Sequence, residues 1–578
     1  MVSRQDYLNK INVFPVPDGD TGTNMAFTLS SILENTASMV HKRVDLMLMR
    51  VADAAIDGAR GNSGSILAQF FQGLSDGTAD VDKHSPESFS KALNLGAQYA
   101  KEALSEPMEG TILTVITDFS NEINSSLSKK NNDFIHLFEI GLKKAEESLK
   151  NTPNLLPILK KSGVVDSGAQ GFVDLLNGIN LFIKRGSIKT TNKITLSISD
   201  SPEFDHSNFT DELKFSYCTE CLIKGNDINR KKIQKELLNF GDSIVIAGSK
   251  TRVKIHIHTN EPAKVFDFCL KFGVVSDQKI DDMRKQQRTS GQKLKNKIAI
   301  LTDSGADLPF ESEKLNIHIV PVRYNFGRKG YIDKVSQTPS EFYKELENNP
   351  IHPTTSQPTP GDFRRQYHFL SSHYNSIISI HLSKKLSGTF QSAQSAIKRS
   401  TNGTKTLIDS MSASVAQGLI VMYAAKLASL SISHKSIVEK VKAIIPKTHV
   451  FIAVNDLTYA VKGGRAPKSI KIFADIFRIT PILTAKNGSM DKAAILWGKN
   501  NIENKFSKFI QRKMIKSERY IIQIAHCNNI SGAKLLKSNI KKLKNIHHIY
   551  VVEMGCALGV HAGPGSLAVG IQEMNDDI

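Results

Sequence analysis

The sequence predicts a multidomain chain: an all-α region, then a small α+β module, then an α/β domain. Three observations carry this prediction. The 578 residues are too many for one compact core. From about Met25 to Ile188 apolar residues recur three or four apart, the spacing of a helix face. From Ile298 onward short apolar runs alternate with helical patterns, the signature of βαβ units. Hydrophobic residues make up 40% and charged residues 23%, which excludes wholesale disorder.

In the first region, helices are predicted over Leu46–Arg60, Pro86–Leu104, Asp133–Lys150 and Gln170–Ile183. Around Ile188 the texture turns to a Thr-, Ser- and Ile-rich alternation (Ile194, Leu196, Ile198), then to a polar stretch through Ser207. Strands Phe215–Ile223, Ser243–Gly248 and Arg252–Thr259 interleave with helices Arg230–Asn239 and Ala263–Phe272, making the α+β module. Arg284–Lys297 carries Arg284, Lys285, Arg288, Lys293, Lys295 and Lys297 with almost no apolar residues, a basic linker by composition. Seven strands follow, Ile298–Thr302, Ile317–Pro321, Ser376–Ile380, Lys405–Ile408, His449–Ala453, Tyr520–Ala525 and His548–Val552, and predict a mainly parallel sheet. The expected domains are therefore 1–188, 208–283 and 298–578, with 284–297 as the linker.

Lys plus Arg number 75 against 56 Asp plus Glu, a formal net charge of +19 that admits nucleic acid, anionic lipid or phosphorylated ligands. Many of the lysines lie in Lys/Asn/Ile-rich helices such as Lys534–Lys544, which reads as a solvated face. No nucleic-acid-binding motif or aromatic stacking platform accompanies them, so no nucleic acid is expected as partner. Five cysteines, Cys218, Cys221, Cys269, Cys527 and Cys556, do not make a disulfide framework in so long a chain. Met1–Asn12 has no apolar signal core, and the best membrane candidate, Gly418–Ala425, is short and followed by Lys426. A cytoplasmic protein without an integral membrane segment is expected.

The sharpest chemical signal is Asn12-Val-Phe-Pro-Val-Pro-Asp18-Gly-Asp20-Thr21-Gly-Thr23-Asn24. Its prolines bar a helix, and Gly19 and Gly22 permit a tight turn, so Asp18 and Asp20 are expected in one loop with Thr21, Thr23 and Asn24 nearby. Hard oxygen donors of this kind suit magnesium, which takes one or two carboxylates together with substrate phosphates. A second stretch, Gly58–Ser65, ends one helix and opens another, and small residues there leave backbone N–H groups for a phosphate. Together the two point to a nucleoside triphosphate, although neither a Walker A sequence nor a Rossmann fingerprint is present.

These stretches, with Glu109–Ile116 and Gly163–Phe172, occur in the order found in the DhaL-type ATP-binding domain of the dihydroxyacetone kinase family, and resemble most closely its bacterial fatty acid kinase (FakA) branch. The resemblance implies an antiparallel barrel of helices that holds ATP and a pair of magnesium ions. It makes Asp18 and Asp20 metal ligands and catalytic groups, with Asn12 standing where the dihydroxyacetone enzymes have a third aspartate. It sets Thr21, Thr23, Asn24, Gly61, Asn62 and Ser63 along the phosphates, and Thr111, Asp166 and Gly168 beside the nucleoside. Two departures stand out. Ala169 replaces a usual glycine, and only eleven residues precede Asn12 where relatives carry a longer first helix, so a misassigned start or a barrel lacking one stave is expected.

In the module, Cys218-Thr-Glu-Cys221 raises the question of metal. Strand residues three apart face opposite sides, so one cysteine alone can share a site with His256 and His258, which are two apart and face together. Spacing leaves two readings open: a Cys–His–His zinc site needing a fourth ligand, and two strand histidines beside an unrelated thiol. FSYCTE followed by VKIHIHTNEP resembles the middle domain of the FakA family, whose matching residues hold zinc. The resemblance implies a structural zinc at Cys218, His256 and His258, with Cys221 as packing.

In the last region five turns stand out: Thr302–Ser304, Thr354–Pro358, Leu386–Thr389, Gly463–Arg465 and His561–Gly565. Hydroxyls, an arginine and a histidine on loops after strands suit a carboxylate or phosphate head group. With Asp409–Ser414 ahead of a long helix, they resemble the DegV family over Lys297–Ile578, whose members bind a fatty acid with its carboxylate at the mouth of an apolar tunnel. Thr355, Ser356, Ser387, Gly388, Thr389, Arg465 and His561 would then surround the head group. Joined, the resemblances imply a single-chain fatty acid kinase that transfers the ATP γ-phosphate to a fatty carboxylate, giving acyl phosphate and ADP. An acyl-phosphate-using acyltransferase would act downstream, and a homodimer is left open. A fatty carboxylate, like a Glu side chain with pKa about 4.3, is ionised at neutral pH, so no general base is required. The rival readings are a glycerone-type small-ketone kinase and a lipid-binding carrier with an inactive kinase half.

Overall fold

The computed structural model describes residues 4–15, 17, 19–37, 40–127, 133–185, 214–284, 298–398, 403–515, 518–543 and 545–574. Asp18, the alternation at Ile194–Ile198, the polar stretch to Ser207 and the linker beyond Arg284 lie outside the described residues. The chain divides into two compact units, Met1–Lys293 and Leu294–Ile578.

Unit one begins with α1 (Gln5–Lys10), α2 (Thr21–Thr36), α3 (Val44–Gly58), α4 (Gly61–Asp76) and α5 (Pro86–Glu102). It continues with α6 (Ile112–Ser126), α7 (Phe134–Leu155), α8 (Pro157–Ser162) and α9 (Ser167–Arg185). Local chemistry sets several of the starts. A Ser85–Ser88 capping box with Pro86 opens α5, Thr111 caps α6 and Asp133 caps α7. Helix α7 outruns its predicted end at Lys150. Pro153 cannot donate to the Leu149 carbonyl, but the Thr152 hydroxyl donates to that oxygen at 2.8 Å and the helix continues.

From α2 to α7 each helix packs on the next, and α9 closes the ring against α7 and α2, as the barrel expectation required. Its interior is an aromatic and aliphatic core in which Phe172 stands edge-on to Phe70 and Phe119, with ring centroids 5.5 and 6.1 Å away. Helices α4 and α5 approach closely because Gly73 faces Gly96; a Cβ on Gly73 would fall 2.6 Å from the Gly96 Cα.

The module follows as β1 (Tyr217–Lys224), α10 (Arg230–Leu237), β2 (Gly241–Gly248), β3 (Arg252–Thr259), α11 (Pro262–Cys269) and β4 (Val274–Asp282). The antiparallel sheet runs β2-β3-β1-β4. Strand β4 was not anticipated, because Ser276, Asp277, Gln278, Lys279, Asp281 and Asp282 leave little apolar alternation; pairing with β1 orders it. The sheet is fastened to the barrel: Gln69 Oε1 accepts the Gly248 N–H at 2.7 Å, Arg252 pairs with Asp57, and Ser105 N–H donates to the Ile244 carbonyl at 3.2 Å.

Unit two holds all seven predicted strands, but the single, mainly parallel sheet was wrong. Strands β5 (Ile298–Asp303), β6 (Ile317–Val320), β10 (Ser376–His381) and β11 (Thr404–Asp409) form a parallel sheet in the order β11-β10-β5-β6. A second sheet comprises β12 (Thr448–Ala453), β13 (Ile479–Lys486), β14 (Ser489–Trp497), β15 (Tyr520–His526), β16 (Ile546–Glu553) and β17 (Leu567–Glu573). Its order is β14-β13-β12-β17-β15-β16, antiparallel except for the last pair. Two of its antiparallel pairs come from the unpredicted β17, inserted between β12 and β15, and two from β13 with its neighbours β12 and β14. Strands β7 (Arg323–Phe326), β8 (Lys329–Ile332) and β9 (Thr354–Ser356) add a small sheet. The helix Ser414–Ser429 runs between the two large sheets, which explains the apolar run Gly418–Ala425: it is buried on every side. Among the described residues no helix is long and apolar enough to cross a membrane.

Candidate functional site

The N-termini of four barrel helices converge. Asn24, on the first turn of α2, packs on Gly61, the first residue of α4, where a Cβ would strike the Asn24 amide. Ser63 lies against Gly168 at the start of α9. The Asp166 carboxylate accepts the Ala169 N–H at 2.8 Å and further N–H groups of Gly168 and of Ile112, the first residue of α6. Helix N-termini carry partial positive charge, so this end of the barrel suits a polyanion. Burial pushes the Asp166 carboxyl up to about 6, against those backbone hydrogen bonds.

Thr21, Thr23 and Asn24 form the first turn of α2, directly after Asp20. The Thr23 hydroxyl accepts from Gln5 Nε2 at 3.0 Å and Asn9 Nδ2 at 2.9 Å, which binds α1 to α2. Thr111 caps α6 while its hydroxyl donates to the Met108 carbonyl at 2.8 Å. Asn12 is buried beside the acidic loop, Asp20 immediately precedes α2, and Asp18 lies outside the described residues. In the second turn the Asn62 Oδ1 is buried without a hydrogen-bond partner, but the Gly61 N–H is not free for phosphate as expected: it donates to Glu220 Oε1 at 2.6 Å. A buried carboxylate already occupies the first anion position of α4.

Glu220 belongs to a grid on one face of the module sheet. Across β1 and β3, Cys218 is opposite His258 and Glu220 opposite His256; across β1 and β4, Glu220 is opposite Lys279 and Cys218 opposite Asp281. The period of two therefore brings Cys218, His256 and His258 together, and their ligating atoms all lie within 4.8 Å of one another. Cys221 faces the other side and meets Cys269, with 3.7 Å between sulfurs. The trio fits a zinc ion chemically: His256 Nε2 is buried without a hydrogen-bond partner, and His258 is held neutral, pushed down to about 3 by burial and the neighbouring His256. Burial, aided by Glu220, Asp281 and Asp20 and opposed by Lys279, pushes the Cys218 thiol well above its ordinary value, a state that a divalent cation reverses.

In unit two, Thr355 and Ser356 lie on β9, paired with Tyr324 and Arg323 of β7. Gln357 continues that strand onto Gly388, where its side chain fills the place of a Cβ. Ser387 and Thr389 share a 2.9 Å hydroxyl contact at the start of helix Thr389–Lys398. His561 sits in helix Cys556–Ala562, which packs on β9. Its Nδ1 is buried without a hydrogen-bond partner, and burial, with Arg465 and His352 nearby, pushes the ring down to about 4. Arg465 donates to the Gly463 carbonyl at 2.8 Å and is otherwise exposed. His352 escaped the sequence reading; its Nε2 is also buried without a partner, and the only hint was a histidine three residues before Thr355.

Residues 15–180 match the DAK2 domain, residues 214–290 the FakA-like middle domain of fatty acid kinases, and residues 297–574 the DegV family of uncharacterised proteins. The chain is a DAK2 domain, a FakA-like middle domain and a DegV-family domain in series. An uncharacterized protein of Staphylococcus aureus strain USA300 is 34% identical over 294 residues, 49% of this chain and 53% of that protein. The chain thus spans about half the length of the staphylococcal relatives it matches. Two solved structures are similar to 48% of the chain over their whole length. One is a fatty-acid-binding DegV family protein from Thermus thermophilus (26% identity, TM-score 0.45), the other the fatty acid binding protein DegV from Bacillus subtilis (26%, TM-score 0.44).

In the DegV-family domain one of the five predicted turns proves to be architectural. Asp303 accepts from His381 Nδ1 and Leu382 N–H at 2.9 Å, from Gln417 Nε2 at 3.2 Å and from Gly305 N–H at 2.9 Å. Thr302–Ser304 thereby ties β5 to β10 and to the central helix.

Proposed function

We propose that the chain is a fatty acid kinase in one polypeptide, its DAK2 and middle domains supplying the nucleotide site and its DegV-family domain the fatty carboxylate. One observation carries the reading: downstream of a FakA-like middle domain, His561 Nδ1 is buried and bare beside Arg465, a donor set suited to a carboxylate. Thr355, Ser356, Ser387, Gly388 and Thr389 would complete the head-group site.

In the reaction a carboxylate oxygen attacks the γ-phosphorus of ATP as the bond to the β–γ bridging oxygen breaks, giving acyl phosphate and ADP. The acid is already ionised, so no proton is moved. The remaining problem is bringing two anions together. The converging N-termini of α2, α4, α6 and α9 favour the polyphosphate electrostatically, and Arg465 with the hydroxyls positions the nucleophile. Asp18, Asp20 and Asn12 would hold magnesium, which neutralises phosphate charge when bound. Cys218, His256 and His258 would hold a structural zinc.

The test is ATP turnover by the full chain with and without palmitate or oleate, hydroxylamine trapping the acyl phosphate and Asp18→Asn serving as control. Fatty-acid-dependent hydroxamate that disappears in Asp18→Asn is the expected result. Phosphorylation of dihydroxyacetone without lipid dependence would instead make the chain a small-ketone kinase. Lipid bound with no turnover would leave a carrier.

A further inference from the structure

A zinc site at Cys218, His256 and His258 does not by itself explain why a fully buried glutamate stands in the same grid and reaches into the barrel. Glu220 Oε1 accepts the Gly61 N–H at 2.6 Å and lies 3.3 Å from His256 Nδ1. The same Nδ1 is 3.6 Å from Cys218 Sγ, so the carboxylate and the thiol share that side of the ring. On the far side of the ring Nε2 is buried and has no hydrogen-bond partner. An imidazole that gives one nitrogen to a carboxylate and leaves the other bare is arranged for ligation. A carboxylate at one nitrogen fixes the tautomer and the ring plane and leaves the lone pair of the other available to an ion. Lys254 Nζ at 3.9 Å from Oε2 and Lys279 Nζ at 3.7 Å from Oε1 surround the glutamate with positive charge. The group is thereby locked between the two domains of unit one.

Resting on the metal reading above, we propose that Glu220 is a positioning residue that orients His256 for the metal and ties the metal centre to the first turn of α4. One oxygen, Oε1, serves both contacts, so displacement of His256 displaces the Gly61 turn. Metal occupancy and nucleotide affinity are then linked, each changing the other by the same factor.

The experiment uses the full chain. Zinc affinity is measured by competition with a chromophoric chelator, cobalt(II) substitution reports the ligand field, and MgADP affinity is measured calorimetrically with and without zinc. Glu220→Gln is expected to weaken zinc about 10- to 100-fold, to shift the cobalt bands, and to make MgADP affinity insensitive to zinc. Glu220→Gln combined with Lys254→Met keeps the buried charges balanced and answers the question if the single variant does not fold. A folded variant that binds zinc as tightly as the unchanged chain, or that keeps the zinc dependence of MgADP binding, overturns the proposal. An unchanged chain that takes up no zinc overturns the metal reading itself, which is a different result from a Glu220 variant that binds normally.

Discussion

His256 in the middle domain and His381 in the DegV-family domain are almost twins by every coarse measure. Both sit in strands, both are buried, and both have a ring nitrogen beside a buried carboxylate, Glu220 in one case and Asp303 in the other. They differ at the second nitrogen. His381 Nε2 meets Ser379 Oγ at 2.6 Å, and that hydroxyl continues to Tyr367 at 2.8 Å, so the chain of hydrogen bonds is closed inside the core. Among the described residues His256 Nε2 has no hydrogen-bond partner. The Asp–His–Ser order in the DegV-family domain invites a catalytic reading, but its serine is fully buried against a tyrosine and no substrate could reach it. Burial and an acidic neighbour therefore do not identify a site; what separates the two histidines is the second ring nitrogen, bonded in His381 and bare in His256.

The largest effect should come from removing a metal ligand. Cys218→Ala or His256→Ala should take zinc from one equivalent per chain to none in elemental analysis, whereas His381→Gln should leave zinc at the level of the unchanged chain. Equal zinc in all three would erase the distinction. Next comes the closed network. Asp303→Ala strips His381, Gln417 and two backbone N–H groups of their acceptor and should cost about 3–5 kcal/mol in urea denaturation. A loss under about 1 kcal/mol would mean that the network is not structural.

Asp166 is the intermediate case, a buried carboxylate satisfied by backbone N–H groups alone. Its folded value, about 6, lies above the ordinary 3.8, so the native state holds the proton more tightly. Between those two values the folded chain binds more protons than the unfolded one, and stability falls as pH rises through the window. Asp166→Asn can still cap α9, should flatten this dependence, and should gain up to about 3 kcal/mol above pH 6. A pH–stability profile that the substitution leaves unchanged would count against a buried acid there. The smallest effect is expected at the head group: Arg465→Ala should weaken oleate binding by about 1.5–3 kcal/mol, the worth of a hydrogen bond to a charged group. Titration with a fluorescent fatty acid reads that change, and His381→Gln is the matched control.

Much of the site was legible because covalent geometry decided it. A strand repeats every two residues, so His256 and His258 had to share a face, and Cys218 and Cys221, three apart, could not both join them. The helical periodicity of the first region and the seven apolar strands of the last were equally local. The tertiary structure alone decided the rest, for a common reason: each remaining feature is a pairing between distant segments. Strand β4 is too polar to announce itself, and β17 inserts antiparallel between β12 and β15. His352, with its bare Nε2, comes beside Tyr459 and His561 only in the folded unit. Glu220, read in sequence as one more strand residue, finds Gly61 across 159 positions. No periodicity encodes that contact; it exists because burying a charge in low dielectric is costly unless partners meet it, and only the folded unit brings them there.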